Sequence, residues 1–299
     1  MKAMQINAFG GPEVLYEAEV DTPAPGPGQV RVRVRAVGVN PFDGKVRSGA
    51  MEAVFATSLP AVLGLEIAGT VDAVGQGVTA FAVGDDVFGW SDTGAYAEYA
   101  LATRITPKPT ELAWDVAVAL PVAGETSERV LDLLKVTSGE TLLIHGAAGA
   151  VGTVAVQLAI ARGATVIGTA SAGNHEYLAS LGAIPTTYGD GLVARVRALA
   201  PQGVDAVFDV AGRGALPDSI ELLGGTERIV TIADPAARSL GVTMSTGRGS
   251  TVDLTGLADQ AVRGEVVVAI AGSYPLADVA TAHRVMEAGH ARGKLVLTV

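Results

Sequence analysis

The sequence lacks cysteine altogether and contains only four histidines in 299 residues. Without thiols there is no disulfide, no thiolate nucleophile and no cysteine ligand for a metal ion. Positive charge is also scarce, because 21 lysines and arginines stand against 31 aspartates and glutamates, for a net charge of −10. Such a balance argues against a nucleic acid or an anionic membrane as the partner. An anionic ligand would therefore have to be held by backbone dipoles and a few chosen side chains.

Long uninterrupted apolar runs are missing as well. The most apolar stretch, about residues 146–161, is interrupted by three glycines and a glutamine, which favours a buried strand and helix over a membrane span. The opening sequence, MKAMQINAFGGPEV, has no apolar core of the kind found in a signal peptide. We therefore expect a cytoplasmic protein, and the length allows about two domains.

What the sequence does contain is a strong signal from Thr141 to Ala170, TLLIHGAAGAVGTVAVQLAIARGATVIGTA. A short apolar run is followed by a glycine-rich segment, by apolar residues at helical spacing and by a second apolar run. This succession predicts the strand, turn, helix and strand of a βαβ unit that binds a dinucleotide. Small residues are needed because the backbone must approach the pyrophosphate, which the helix N-terminus then holds. The alternative is a glycine-rich turn of an α/β protein that binds no nucleotide.

Within this stretch, Gly149 and Gly152 fill the last two glycine positions of the G-x-G-x-x-G pattern, and Ala147 stands at the first. Small side chains at such a turn let an anion reach the peptide N–H groups. The residues of the turn predicted to bind the cofactor are consecutive, namely Gly146, Ala147, Ala148, Gly149, Ala150, Val151 and Gly152.

The end of the second strand predicts which dinucleotide is bound. NAD sites place Asp or Glu there to accept hydrogen bonds from the ribose, and residues 169–174 contain no carboxylate. Without that negative charge a 2′-phosphate is not repelled, so NADPH is favoured over NADH. Ser171 and Asn174 are predicted to donate hydrogen bonds to this phosphate. For Asn174, the alternative is that its side chain caps the helix that follows.

The two ends of the chain differ in pattern from its middle. Strict alternation from Val30 to Val37 predicts a half-exposed antiparallel strand with arginines outward, within a barrel-like β domain of about 110 residues. From Asp115 to Leu120, and again from Thr126 to Leu134, the pattern is helical, and then strands and helices alternate as in a parallel sheet. The tail, from about Leu254, includes a predicted strand at Val266 to Ile270 and is expected to return to the first domain.

These patterns resemble the medium-chain dehydrogenase/reductases, in their zinc-free quinone oxidoreductase (ζ-crystallin-like) branch. The matching stretches follow one another along nearly the whole chain: AVGVNPFDGKVRSG (36–49), VLGLEIAGTVDAVGQGV (62–78), VGDDVFG (83–89), GAYAEY (94–99), ALPVAGETS (119–127), LLIHGAAGAVGTVAVQLA (142–159) and YPLADVATAH with RGKLVL (274–297). The resemblance implies an α/β fold: a doubly wound parallel Rossmann sheet (residues 114–247) inserted in a GroES-like β-barrel catalytic domain (residues 1–113 and 248–299). It also implies a cleft between the two domains and a homodimer formed through the last sheet strand, about Gly241 to Ser245.

Zinc-containing members of this superfamily have a Cys and a His in stretches that here read Asn40 and Leu65, and a third ligand near Pro121 and Val122. None of these residues supplies the thiolate or imidazole that zinc prefers, so no metal is expected. Without a Lewis acid, hydride delivery to an electron-poor carbon is easier than oxidation of an alcohol. We therefore expect a zinc-independent, NADPH-dependent oxidoreductase whose partner is a small quinone or α,β-unsaturated carbonyl compound (an enone or alkenal).

The resemblance also implies the remaining site residues. Asn40 and Thr126 align with polar residues that line the nicotinamide cleft, and they are the predicted catalytic residues. Tyr188 matches a family tyrosine near the adenosine end of the cofactor. Each has an alternative: Asn40 could form a turn before Pro41, and Thr126 could cap the helix that follows it. Tyr188 could be a buried aromatic residue without a cofactor contact.

Two other functions stay open. One is a redox-inert NADPH-binding protein of the same fold, which would bind the cofactor and turn over no acceptor. The other is an enoyl-thioester reductase, which would need a basic patch for a carrier phosphopantetheine or coenzyme A. The acidic sequence shows no such patch.

Overall fold

The computed structural model describes residues 1–247 and 252–299. The chain forms two compact units. The first unit comprises Met1–Pro121, Leu254–Val262 and Ala269–Val299, and the second comprises Val122–Asp253 and Arg263–Val268. The domain boundaries at 113/114 and 247/248 stay predictions, and the second of them adjoins residues outside the described part of the chain.

The first unit is built mainly from antiparallel strands. Its strands are β1 (Lys2–Ile6), β2 (Tyr16–Glu19), β3 (Val30–Val39), β4 (Ala61–Val62), β5 (Glu66–Val74), β6 (Asp86–Trp90), β7 (Tyr99–Ala102), β8 (Arg104–Pro107), β15 (Ile270–Pro275) and β16 (Lys294–Thr298). They form a small sheet in the order β2-β1-β4 and a larger one in the order β15-β16-β3-β5-β6-β8, in which β7 also pairs with β3. Over the described residues this pairing is an open path and not a closed barrel.

The central strand of the larger sheet is β3, and it positions the predicted residue Asn40. The predicted alternation is confirmed as far as Arg35, because Val32 and Val34 are buried whereas Arg33 and Arg35 are exposed, but Ala36 and Val37 are both buried. The strand pairs with β5, β7 and β16 through antiparallel ladders. Because β3 is held by several partners at once, the residue that follows its end is fixed in the interior of the unit.

The helices of the first unit are α1 (Pro41–Arg47), α8 (Leu254–Val262) and α9 (Val279–Ala288), and α2 (Trp114–Leu133) begins in it. Its apolar core includes Ile67, Tyr96 and Leu297, all fully buried. Each such side chain contributes about 1.5–3 kcal/mol relative to an exposed one. Charged side chains are also buried beside this core.

The second unit contains one parallel sheet. Its strands are β9 (Thr141–His145), β10 (Thr165–Thr169), β11 (Ile184–Thr186), β12 (Ala206–Asp209), β13 (Ile229–Thr231) and β14 (Thr243–Met244). Their order is β11-β10-β9-β12-β13-β14, and each pairing is parallel. The chain therefore winds outward from β9 in both directions, as in dinucleotide-binding folds. The predicted doubly wound Rossmann sheet is confirmed.

The helices of the second unit alternate with these strands and are α3 (Ala150–Ala161), α4 (His175–Ser180), α5 (Leu192–Leu199), α6 (Leu216–Leu223) and α7 (Ala237–Leu240). Buried apolar residues of strands and helices form one cluster, for example Leu143 and Val207 with Val196 and Leu216. The edge strand β14 exposes Met244.

Two predicted elements differ from the structure. The strand expected at Val266 to Ile270 is wrong, since β15 begins only at Ile270. The Gln157 side chain accepts a hydrogen bond from the Val267 N–H at 2.9 Å and donates one to the Val267 carbonyl at 2.8 Å. An amide side chain thus takes the place of a neighbouring strand. The two helical segments around Pro121 are in fact one helix, α2, which contains Pro121 in its interior.

Candidate functional site

The glycine-rich segment forms a tight turn between β9 and α3. Gly146 has a φ of +73°, a conformation that favours glycine. The Ala147 N–H donates to the Thr169 carbonyl at 3.1 Å, and the Gly149 N–H donates to the Gly146 carbonyl at 3.1 Å. These bonds fold the turn back onto the end of β10 and bring it to the start of α3.

Gly149 and Gly152 have opposite surroundings, and the difference shows where a ligand fits. A Cβ at Gly152 would lie 2.7 Å from the Ala147 Cα and would press on the Gly146 carbonyl oxygen, so this glycine lets the helix pack against the turn. A Cβ at Gly149 would meet nothing within 4 Å except the Gly146 oxygen, at 3.5 Å. The space beside Gly149 is therefore open at the N-terminus of α3.

Among the described residues, no side chain caps α3, whose N-cap is Gly149. The first N–H groups of a helix have no partner within it, and they carry the positive end of the helix dipole. Together with the open space at Gly149, these groups fit an anion such as a pyrophosphate.

The loop after β12 bounds the turn on the other side of β9. Asp209 is buried, and one of its carboxylate oxygens accepts from the N–H groups of Ala211 and Gly212 at 3.0 Å each. Its other oxygen accepts from the Thr231 hydroxyl at 2.8 Å. A Cβ at Gly146 would lie 3.2 Å from the Ala211 Cβ, so turn and loop are in contact. This is the point where the strand order reverses, the usual ligand position in such sheets.

Ser171 and Asn174 come together just after β10. The Asn174 side-chain amide donates to the Ser171 hydroxyl oxygen at 3.1 Å, and its backbone N–H donates to the Ser171 carbonyl at 2.9 Å. Asn174 is the N-cap residue of α4, as the capping alternative has it, but its side chain makes no capping bond there. Gly173, between them, has open space on its Cβ side.

Tyr188 lies on the loop after β11 and is 58% exposed, so the alternative of a buried aromatic residue is wrong. Arg195 of α5 holds this loop by donating to the carbonyls of Thr187 at 2.9 Å and Asp190 at 2.7 Å. These hydrogen bonds from Arg195 fix the loop that carries the exposed Tyr188 ring. The turn, the Ser171–Asn174 pair and Tyr188 follow the carboxyl ends of three adjacent strands.

In the first unit, Asn40 is the N-cap of α1 and is only 4% exposed. Its side-chain oxygen accepts from Lys294 Nζ at 2.6 Å, and its side-chain nitrogen donates to Glu66 Oε1 at 3.0 Å. Lys294 and Glu66 also form an ion pair, and both are almost completely buried. A donor-only cation and an acceptor-only carboxylate thus fix the orientation of the Asn40 amide.

A second chain of buried polar groups begins at the same helix. Asp43 Oδ2 accepts from the Asn40 N–H at 2.8 Å and from the Tyr96 hydroxyl at 3.0 Å. The Tyr96 oxygen lies 2.9 Å from His283 Nε2, and Arg47 lies 2.9 Å from His283 Nδ1. Because arginine only donates, His283 accepts at Nδ1, carries its proton on Nε2 and donates to Tyr96. The chain therefore runs in one direction, from Arg47 to Asp43.

Burial dominates the electrostatics of this chain. It raises the pKa of Asp43 to about 7, against the lowering effect of the hydrogen bonds from Asn40 and Tyr96. Burial, with the Arg47 charge nearby, lowers the pKa of His283 to about 4. It also raises the pKa of Tyr96 well above the usual value. At neutral pH the histidine is uncharged, and the carboxyl group titrates.

Thr126 lies inside α2, in the second unit, and its hydroxyl donates to Glu125 Oε2 at 3.3 Å. The alternative that it caps a following helix is wrong, because the helix continues through it to Leu133. Glu125 is in turn paired with Arg129, at 2.7 Å. Catalytic roles for Asn40 and Thr126 stay predictions.

The sequence alone does not point to the polar groups that support these residues. Lys294 and Glu66 support Asn40, while Thr169 and His145 support the turn. The only available signal was a polar residue at the end of a buried strand, as at Thr169. In the part of the chain that is described, no cluster of three His, Cys, Asp or Glu side chains could hold a metal ion. Within residues 1–247 and 252–299, no helix has the length and apolar character needed to cross a membrane.

Comparison with known proteins identifies the family. Two family profiles match, "Alcohol dehydrogenase GroES-like domain" over residues 26–110 and "Zinc-binding dehydrogenase" over residues 181–297. The quinone oxidoreductase of Pseudomonas aeruginosa is 34% identical over 324 aligned positions, with 99% of each chain covered. The 2-methylene-furan-3-one reductase of Solanum lycopersicum is 30% identical over 313 positions, covering 99% of this chain and 79% of that one.

Among solved structures, the Escherichia coli quinone oxidoreductase complexed with NADPH superposes with a TM-score of 0.90. It is 27% identical, and the match covers 100% of both chains. The resemblance inferred from the sequence motifs is thereby confirmed. The chain belongs to the medium-chain dehydrogenase/reductase superfamily, in its quinone oxidoreductase branch.

Proposed function

We propose that this protein is an NADPH-dependent oxidoreductase that reduces quinones or α,β-unsaturated carbonyl compounds. The observation that carries the proposal is the open space at Gly149 beside an uncapped helix start, in a chain whose Escherichia coli relative is seen with NADPH. The names of the Pseudomonas aeruginosa and Solanum lycopersicum relatives support the two classes of acceptor.

The second unit supplies the residues that would hold NADPH. The N–H groups at the start of α3 (Ala150, Val151 and Gly152) would hold the pyrophosphate, with Gly149 leaving the room it needs. Ser171 and Asn174 would donate to the 2′-phosphate, since neither carries a negative charge that would repel it. Tyr188, exposed on its loop, would pack against the adenosine end.

NADPH, when bound, supplies a hydride. The acceptor is a molecule with its own electron sink, so the protein has to orient it and keep water away. We propose that Asn40 and Thr126 are the catalytic residues that orient the acceptor. The buried Lys294 and Glu66 keep the Asn40 amide in one orientation, which preorganises it without a metal ion. Zinc-independent turnover is part of the proposal.

We also propose that the protein is a cytoplasmic homodimer in which two copies of β14 pair. Met244 of this edge strand is exposed, which is compatible with such a contact. Sedimentation analysis of the purified protein tests the dimer, and a Met244→Lys variant should shift it toward the monomer. A monomeric wild-type protein would overturn this part of the proposal.

The test of the activity is oxidation of NADPH, followed by absorbance, with a small quinone and with an alkenal after extensive dialysis against a chelator. Turnover should survive the chelator, and Gly149→Val should lose NADPH binding while its melting temperature stays near that of the wild type. Loss of turnover that zinc restores would overturn the metal-free mechanism. Tight NADPH binding without turnover on any acceptor would favour the redox-inert alternative.

A further inference from the structure

The carboxyl end of β9 carries a buried histidine that the proposed reaction does not use. His145 is 1% exposed and stands next to Thr169 in the parallel register of β9 and β10. Its Nε2 lies 3.0 Å from the Ser219 hydroxyl, and its Nδ1 lies 3.4 Å from the Thr169 hydroxyl. Burial lowers the pKa of His145, so the ring is neutral and carries a single proton.

The position of that proton follows from Ser219. The Ser219 hydroxyl has one hydrogen, which it donates to the Ala215 carbonyl at 2.7 Å. It can therefore only accept from His145, so the ring proton is on Nε2. Nδ1 is left as an acceptor, and the Thr169 hydroxyl donates to it.

The direction of the hydrogen bond between Thr169 and the turn follows in the same way. With its hydrogen directed at His145, the Thr169 hydroxyl oxygen accepts from the Gly146 N–H, at 3.3 Å. The Thr169 carbonyl accepts from the next N–H of the turn, that of Ala147, at 3.1 Å. Thr169 thus engages the first two N–H groups of the turn, and the later ones, at the start of α3, receive no side-chain cap from any residue that the structure describes.

We propose that Thr169 and His145 are positioning residues for the pyrophosphate of the nucleotide. Thr169 accepts hydrogen bonds from the N–H groups of Gly146 and Ala147 and so fixes their direction. His145 accepts the hydrogen of the Thr169 hydroxyl, whose oxygen can then only accept from Gly146. The two bonds of the Thr169 hydroxyl, to His145 Nδ1 and from the Gly146 N–H, are long, so each is weak. Their effect is on the direction of the turn more than on its stability. This inference rests on the proposed function, because it takes a dinucleotide to be the ligand.

The experiment compares Thr169→Val, which keeps the shape of the side chain, with Thr169→Ser, which keeps the hydroxyl. Fluorescence titration should show NADPH binding weakened about fivefold in Thr169→Val and nearly restored in Thr169→Ser, the order expected for one hydrogen bond. Adenosine 2′-monophosphate, which has no pyrophosphate, should bind all three proteins alike. If Thr169→Val binds NADPH like the wild type, or if the serine variant is equally weak, the proposal is overturned.

His145→Phe removes both ring nitrogens, and it should weaken NADPH binding in the same direction. Because His145 acts only through its hydrogen bond with Thr169, the double variant should bind NADPH no more weakly than the single variant with the lower affinity. Additive losses would overturn the coupling. Hydrogen exchange at the Gly146 amide, measured without nucleotide, should be faster in Thr169→Val. That measurement tests the positioning role by itself, whereas a wild-type protein that binds no NADPH would overturn the proposed function.

Discussion

The two chains of buried polar groups, one beside the glycine-rich turn and one around Asn40, differ in charge. In the second unit, the chain through Ser219, His145 and Thr169 is neutral, and each hydroxyl or ring nitrogen has one possible direction. In the first unit, the groups around Asn40 are charged, with a Lys294–Glu66 ion pair and a titrating Asp43. A neutral chain can set direction at little cost in desolvation, whereas buried charges depend on one another. Changes to the charged groups around Asn40 should therefore cost more stability, and respond more to pH, than changes to the neutral chain through His145.

The largest effect is expected from Lys294→Met. This change leaves the Glu66 carboxylate buried without its cation, which should lower the free energy of unfolding by about 3–5 kcal/mol. Urea denaturation measures the loss. The matched double variant, Lys294→Met with Glu66→Gln, removes both charges and should recover most of it. A loss below about 1 kcal/mol would mean that the pair behaves like an exposed one.

The two glycines of the turn should separate stability from binding. In Gly152→Ala, the added Cβ meets the backbone of Gly146 and Ala147, which should cost about 1–3 kcal/mol despite the better helix propensity of alanine. In Gly149→Ala, the methyl group occupies the open space, so unfolding should change by less than about 1 kcal/mol. NADPH binding should weaken roughly tenfold, equivalent to about 1.4 kcal/mol. Thermal denaturation and NADPH titration of both variants make the comparison. Unaltered NADPH binding in Gly149→Ala would contradict the assignment of this space.

Two groups of the first unit should give opposite pH dependences of stability. Asp43 has a folded pKa of about 7, raised from 3.8, so its contribution is present at low pH and is lost as the pH rises toward 7. His283 has a folded pKa of about 4, lowered from 6.5, so its contribution is present above 6.5 and is lost as the pH falls. Between about pH 4 and 6.5 the two slopes, each up to about 1.4 kcal/mol per pH unit, should cancel.

Single variants at Asp43 and His283 reveal the pH dependence of stability that each group contributes. Relative to the wild type, the stability of Asp43→Asn should rise with pH between about 4 and 7, and that of His283→Gln should fall with pH between about 4 and 6.5. The surrounding charges of Arg47, Glu66 and Lys294 are common to all three proteins. Urea denaturation at several pH values provides the data. Parallel curves for the wild type and both variants would show that neither group titrates as inferred.

Local pattern was enough to predict part of this molecule. The alternation predicted for Val30 to Val37 and the spacing of residues 141–170 reflect interactions between near neighbours; the first is confirmed as far as Arg35, and the second predicted the strand, turn, helix and strand correctly. The contacts of Asn40 could not be predicted, because Lys294 is separated from it by 254 positions. The wrong strand at Val266 to Ile270 has the same origin, since Gln157, 110 positions away from Val267, satisfies that backbone. Polar side chains that act at long range leave no periodic signal.

The smallest effect is expected at the pair after β10. Asn174 is the N-cap residue of α4 but makes no side-chain capping bond, so Asn174→Ala should change the free energy of unfolding by less than about 0.5 kcal/mol. Its amide orders the Ser171 hydroxyl, so its loss should weaken NADPH binding about threefold and leave NADH binding unchanged, as expected for a weak polar contact. Ser171→Ala should have the same selective effect. Equal losses for NADPH and NADH would place the Ser171–Asn174 pair away from the 2′-phosphate. In that case, the neutral polar groups of the second unit would orient only the glycine-rich turn.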